Sequence, residues 1–249
     1  GTADFNEKIV ASKTAGNNKG YSYNTAKSSN YNFYNNTIKI GADLISPIAN
    51  NAFSYYKFKF DNSFYDDNNQ LINKIKVIPS RDKEPVFEGF IYIVDGSWAI
   101  YAVDLEIKGY RMKNEFLENM ILKQNFSYNS NTNIWAKNAQ SLEFMLGGFG
   151  IKYSGKFNYV FSNYDFNTSF DNTSFGNEVV SFEANSNKKA NDYWATNRPI
   201  PLTDEETENY LKKEKLQIKR ESQQYKDSID AKNNKFKLEN LIDGYLYKN

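Results

Sequence analysis

The chain has 249 residues, and its 31 Lys and Arg against 30 Asp and Glu leave no net field to draw it to nucleic acid or an anionic membrane. It contains no Cys and no His, which removes disulfides, thiolate nucleophiles, cysteine zinc and iron–sulfur sites, Ser-His-Asp triads and imidazole ligands. Any chemistry must rest on carboxylates, Lys, Tyr, Ser or Thr, while 19 Tyr and 19 Phe suit the half-buried surface of a pleated sheet.

Residues 1–30 are polar and rich in Gly, Asn and Ser, the composition of an irregular arm. The opening Gly1 followed by TADFNEKIVASK reads as an excised piece, so the lack of a leader carries no information. A short strand is expected at Thr37–Ile40, and 42–54 is the one stretch there that could supply a covering helix. Tyr56, Phe58 and Phe60 then alternate with Lys57, Lys59 and Asp61, giving one apolar and one wet face. Asp66-Asp67-Asn68-Asn69 is turn chemistry, and Leu71–Ile78 is a strand closed by Pro79 and a charged loop. Residues 86–107, VFEGFIYIVDGSWAIYAVDLEI, are two β-rich runs around Asp95-Gly96, a pairing that predicts a type I′ hairpin turn.

Further along, Met120, Leu122, Gln124, Phe126 and Tyr128 form an alternating strand, with a turn at 129–133. Leu142, Phe144 and Leu146 follow, and Gly147-Gly148-Phe149-Gly150 reverses the chain. Ile151, Tyr153, Phe157, Tyr159 and Phe161 then share a face opposite Lys152, Ser154, Lys156 and Asn158. Short turns and simple order predict a mainly β fold, a curved antiparallel meander or half-barrel over a domain at 31–183. Residues 184–249 change character, with an extended segment through Arg198-Pro199-Ile200-Pro201. A charged helix from about 203 comes next, its Thr203 and Glu206 forming a capping box and its last turns rich in Lys. No run approaches the roughly 18 apolar residues of a membrane helix.

Few residues invite a chemical reading. Asp66–Asn69 lacks the ligand order of a calcium loop, and Gly147–Gly150 is followed by no Lys-Ser/Thr of a phosphate loop. Asp104 and Glu106 lie two apart on one strand with no second motif to complete an acid–base pair. Asp227-Ser228-Ile229 matches a three-residue O-glycosylation pattern too short to separate from ordinary helix. The aromatic face of Phe144, Tyr153, Phe157, Tyr159 and Phe161 is the remaining candidate, either as sheet core or as a groove for an apolar ligand. No cofactor, metal or enzymatic activity is expected.

The runs SPIANNAFSYYKFKFDNSFYDDNNQLINKIKVIPSRDKEPVFEGFIYIVDGSWAIYAVDLEIKG, DYWATNRPIPLTDEE and QYKDSIDAKNNKFKLENLIDGY resemble a group of Bacteroidetes outer-membrane proteins, domain-of-unknown-function family 5686. Lys76-Val77-Ile78-Pro79 and Phe87–Ile93 are the most specific parts of a likeness that runs from about residue 5 to residue 249. The resemblance implies a middle region between a carboxypeptidase-regulatory-like domain and a C-terminal membrane β-barrel, at the periplasmic face of the outer membrane. Residues from about 232 would then lead into the barrel. It implies no reaction. A looser likeness is to periplasmic lipoprotein-carrier half-barrels, a fold-level analogy. The expected function is a non-catalytic interaction module whose partner is its own barrel or another envelope protein. The alternative is a half-barrel carrier of a hydrophobic ligand such as a lipid or acyl chain.

Overall fold

In a computed structural model, three short strands open the chain: β1 (Glu7–Ile9), β2 (Thr37–Lys39) and β3 (Asp43–Ile45). Seven longer ones follow: β4 (Tyr56–Tyr65), β5 (Leu71–Pro79), β6 (Glu88–Val94), β7 (Ile100–Lys108), β8 (Leu117–Asn129), β9 (Ile134–Gly148) and β10 (Ile151–Val160). Strand β11 (Val180–Phe182) and helices α1 (Asn191–Asn197), α2 (Asp204–Glu221) and α3 (Gln223–Asn233) complete the order. The structure describes residues 6–14, 28–148, 150–166, 168–169, 180–197 and 204–233. Two compact units divide the chain, one of 1–12 with 23–200 and one of 13–22 with 201–249.

Strands β4 to β10 form one antiparallel sheet in sequence order, and the outer strands β4 and β10 do not pair with each other, so the sheet is open. Alternation in the sequence becomes continuous rows across it. One row runs Phe58, Val77, Gly89, Leu105, Leu122, Leu142, Phe157, and the next runs Phe60, Ile75, Ile91, Val103, Gln124, Gln140, Tyr159. Because side chains alternate with period two, both rows lie on one face. Central members of the first row, Val77, Leu105, Leu122 and Leu142, are buried, while Phe58 and Phe157 at its ends are only partly covered.

Protein from the same chain covers that face. Tyr31, Phe33, Ile38, Ile40, Leu44, Ala49, Ala52 and Tyr56 join the sheet residues in a single core. Residues 42–54 supply no α-helix: the covering strap is the β2–β3 hairpin with a 3-10 turn at Ala52–Ser54. Polar contacts fix it in place. Ser46 Oγ donates to the Phe33 carbonyl at 2.6 Å, and the Phe87 N–H donates to the Tyr56 hydroxyl at 3.1 Å. Two buried glutamines complete the attachment. Gln124 Nε2 donates to the Tyr31 carbonyl and to Gln140 Oε1, both at 2.7 Å, and Gln140 Nε2 donates to the Ser29 carbonyl at 2.8 Å.

The Asp95-Gly96 hairpin exists, but its turn is not the two-residue type I′ form. Val94 and Ile100 enclose five residues, closed by the Trp98 N–H to the Val94 carbonyl at 3.0 Å and the Val94 N–H to the Ala99 carbonyl at 2.9 Å. Positive φ falls on Gly96 (75°) and Trp98 (61°), which are not adjacent. Asp95 is still held by β5, through its N–H to the Leu71 carbonyl at 2.8 Å and its carboxylate to Asn73 at 3.1 Å. Reversal therefore starts one residue later, and a bulge follows near Tyr101 where the register jumps from Ile93–Ile100 to Tyr92–Ala102.

Within the stretch read as an irregular arm, β1 pairs in parallel with β11, Glu7 opposite Val180 and Ile9 opposite Phe182. Helix α1 directly precedes the Arg198–Pro201 segment that the sequence reads as extended. In the second unit, α2 exposes Leu211, Leu216 and Ile218, the solvated character its composition predicts, and α3 follows a break at Ser222. Ser222 Oγ donates to the Lys219 carbonyl at 2.6 Å and accepts the Tyr225 N–H at 3.4 Å. The N-cap expected at Thr203, the Arg198–Pro201 segment and the tail from 234 lie outside the described residues. Among the described residues no helix is long and apolar enough to cross a membrane.

Candidate functional site

The β9–β10 hairpin positions the aromatic face. Its register sets Tyr153 against Leu146, Gly155 against Phe144, Phe157 against Leu142 and Tyr159 against Gln140. Gly155 makes room for the Phe144 ring, since a Cβ built there would come within 2.2 Å of it. Phe144 and Phe157 stack with centroids 6.0 Å apart and planes 29° apart, and Phe157 and Tyr159 continue the stack at 6.4 Å and 27°. Three of the five residues are thus brought together. Tyr153 stands beyond Gly155, 58% exposed. Phe161 leaves the end of β10, anchored by its N–H to the Asn138 carbonyl at 2.9 Å.

Sequence reasoning missed Lys137. The residue sits on β9, and its Nζ lies 5.0 Å from the centre of the Phe161 ring. Its other neighbours are neutral acceptors: Gln140 Oε1 at 3.1 Å, and Asn30 Oδ1 and the Tyr31 carbonyl at 3.4 Å. Burial without a counter-charge lowers its pKa to about 8. The local sequence Ala136-Lys137-Asn138 gives no hint of this, because the strap that buries the amine lies about 107 residues away.

Asp104, Glu106 and Asp66 are each engaged. Asp104 pairs with Lys123 at 3.2 Å. Burial acts to raise the pKa of Glu106, but hydrogen bonds from Lys108 and Asn119 outweigh it and hold the carboxyl below the usual range. Nearby, the buried Arg111 binds Glu88 at 3.2 Å and the Asp82 carbonyl at 2.8 Å, tying the charged 80–85 loop to the sheet. A hydrogen bond from Tyr110 is the main cause that holds Asp82 below its ordinary pKa. Asp66 Oδ1 accepts the N–H groups of Asn68 and Gln70 at 3.0 and 2.8 Å, which makes it part of its own turn. Among the described residues no three acidic, His or Cys side chains converge to hold a metal.

At the Phe161 end of the stack an open cleft of about 490 Å³ lies between the β8–β9 hairpin and residues 161–164. None of its lining was anticipated except Phe161, because its two walls are separated in sequence and meet only through the pairing of β8, β9 and β10.

No curated protein and no solved structure matches the chain. A family model described as a family of unknown function (DUF5686) matches residues 2–164. That match takes in more than half of the chain, including the whole seven-stranded sheet, its strap and the aromatic stack, so the chain belongs to the DUF5686 family.

Proposed function

We propose that this chain is a non-catalytic interaction module of an outer-membrane β-barrel protein, placed on the periplasmic side and contacting its own barrel or another envelope protein. Location and context rest on the sequence resemblance together with membership of the family. One observation carries the choice of function: the sheet face that a carrier would keep open is filled by residues 31–56 of the same chain. An antiparallel sheet packed in this way suits a rigid platform, with β4 and β10 as outer edges that pair with no further strand among the described residues. The paired carboxylates support a non-catalytic reading, since each already has a cation or backbone donor as partner.

Carriage of a hydrophobic ligand is the second reading, favoured by the partly covered stack of Phe144, Phe157 and Tyr159 with Tyr153 and Phe161 at its ends. Native mass spectrometry separates the two. The expected spectrum shows the 28.8 kDa polypeptide without a lipid adduct. A co-purifying lipid that disappears in Phe157→Asp would establish the carrier reading instead.

A further inference from the structure

The cleft at the end of the stack has an unusual chemistry. Three rings shape it: Tyr128, Phe161 and Tyr164. Tyr128 and Tyr164 are each 41% exposed, and both are held in place. Tyr128 donates to Asn133 Oδ1 at 2.7 Å, and Tyr164 donates to the Lys137 carbonyl at 2.5 Å and stacks on Phe166 with planes 2° apart. Between the rings stand Ser127, Ser130, Ser162 and Asn163, whose side chains make no hydrogen bond among the described residues. Asn129, which braces the turn through the Asn131 N–H at 3.0 Å, completes the polar lining. No charged side chain of the described residues lines the cleft.

That combination selects a ligand class. An anionic ligand would find no cation among the lining residues, and a cation would find no carboxylate. The Lys137 amine against the Phe161 ring is not part of the lining and bonds Gln140, Asn30 and the Tyr31 carbonyl. An acyl chain would strip water from free hydroxyl and amide groups without replacing their hydrogen bonds, which is costly. A ligand with apolar C–H faces and many hydroxyl groups meets both needs. Its faces lie against rings held at fixed angles, and its hydroxyls pair with the Ser and Asn groups. The volume lies within the roughly 300–1,000 Å³ of small-molecule sites. We propose that this cleft, formed by the β8–β9 hairpin and residues 161–164, binds a neutral carbohydrate.

Amide chemical-shift titration of the intact ¹⁵N-labelled chain tests this, with cellobiose, maltose, lactose and N,N′-diacetylchitobiose as neutral probes and glucuronate and decanoate as charged and apolar comparators. The expected result is a saturable shift of amides in 127–130 and 161–164 with at least one neutral disaccharide and with neither comparator. Tyr128→Ala and Phe161→Ala each weaken that binding by about tenfold or more, as loss of an aromatic anchor does. Tyr65→Ala, an exposed ring on β4 outside the cleft, leaves it unchanged. The proposal is overturned if none of the four disaccharides shifts these amides, if decanoate or glucuronate saturates the cleft, or if both ring variants fold and bind as the parent does. Should the ring variants fail to fold, the shift map of the parent protein decides alone.

Discussion

Gly155 and Phe144 show a single missing Cβ shaping a surface. Replacing Gly by Ala in a strand ordinarily gains about 0.5–1 kcal/mol by restricting the unfolded chain. Here the new methyl would meet the Phe144 ring at 2.2 Å, and overpacking of that kind costs about 1–3 kcal/mol. Gly155→Ala is therefore expected to destabilise by about 1 kcal/mol in urea titration. Shortening the partner, Phe144→Leu, should recover most of the loss in the double variant, and additive losses would show that the ring is not the obstacle. Lys137 gives a second prediction at this scale. Its pKa is about 8 when folded against an ordinary 10.5, so between those values the unfolded chain holds a proton that the folded chain has released. Stability from this group consequently rises with pH across that window. Lys137→Met should remove the rise. Urea midpoints of parent and variant that follow the same pH dependence would show that the amine is not desolvated.

At the scale of elements, the strap decides whether the sheet has a buried face at all. Phe33 is its anchor, 1% exposed and edge-on to Phe87 with centroids 5.5 Å apart. Phe33→Ala should cost about 3–5 kcal/mol, the range for truncating a buried Phe, and should raise binding of a hydrophobic dye as Leu105 and its row become accessible. A loss below about 1 kcal/mol would mean that the strap contributes little to the core. Edge strands are the other concern at this scale. β10 presents Lys152 and Lys156 beside its rings, paired across to Glu118 at 2.9 Å and Glu143 at 3.1 Å. Charges of this kind discourage edge-to-edge association.

For the whole molecule, the family match ends at residue 164, whereas the partner of β1 lies at 180–182. The seven-stranded sheet and its strap are complete before that point. A chain ended after Phe166 should retain the β signal in circular dichroism, lose the helical signal of α1 to α3, and unfold in one cooperative step. Loss of cooperativity would show that β11 or the segment around it is required for the core.

Strands β4 to β10 were legible because alternation is a property of neighbouring residues: a chain that reads apolar and polar by turns can bury only one side of a pleat. The aromatic face was legible for the same reason, and the register confirms that Tyr153, Phe157 and Tyr159 share a side. Simple order followed from short turns. Other features depend on groups far apart in sequence. Nothing local marks Glu7–Ile9 as the partner of Val180–Phe182, since three-residue strands carry too little pattern to identify one another. The turn after Val94 shifted because Leu71 and Asn73 hold Asp95 from a different strand. Desolvation of Lys137 and the walls of the cleft likewise arise only when β8, β9, the strap and residues 161–164 come together. The sequence by itself determined which segments become the seven strands of the main sheet and which side each buries. Only the tertiary structure decided what covers that side and where a cleft remains, because those outcomes depend on which distant surfaces exclude water from one another.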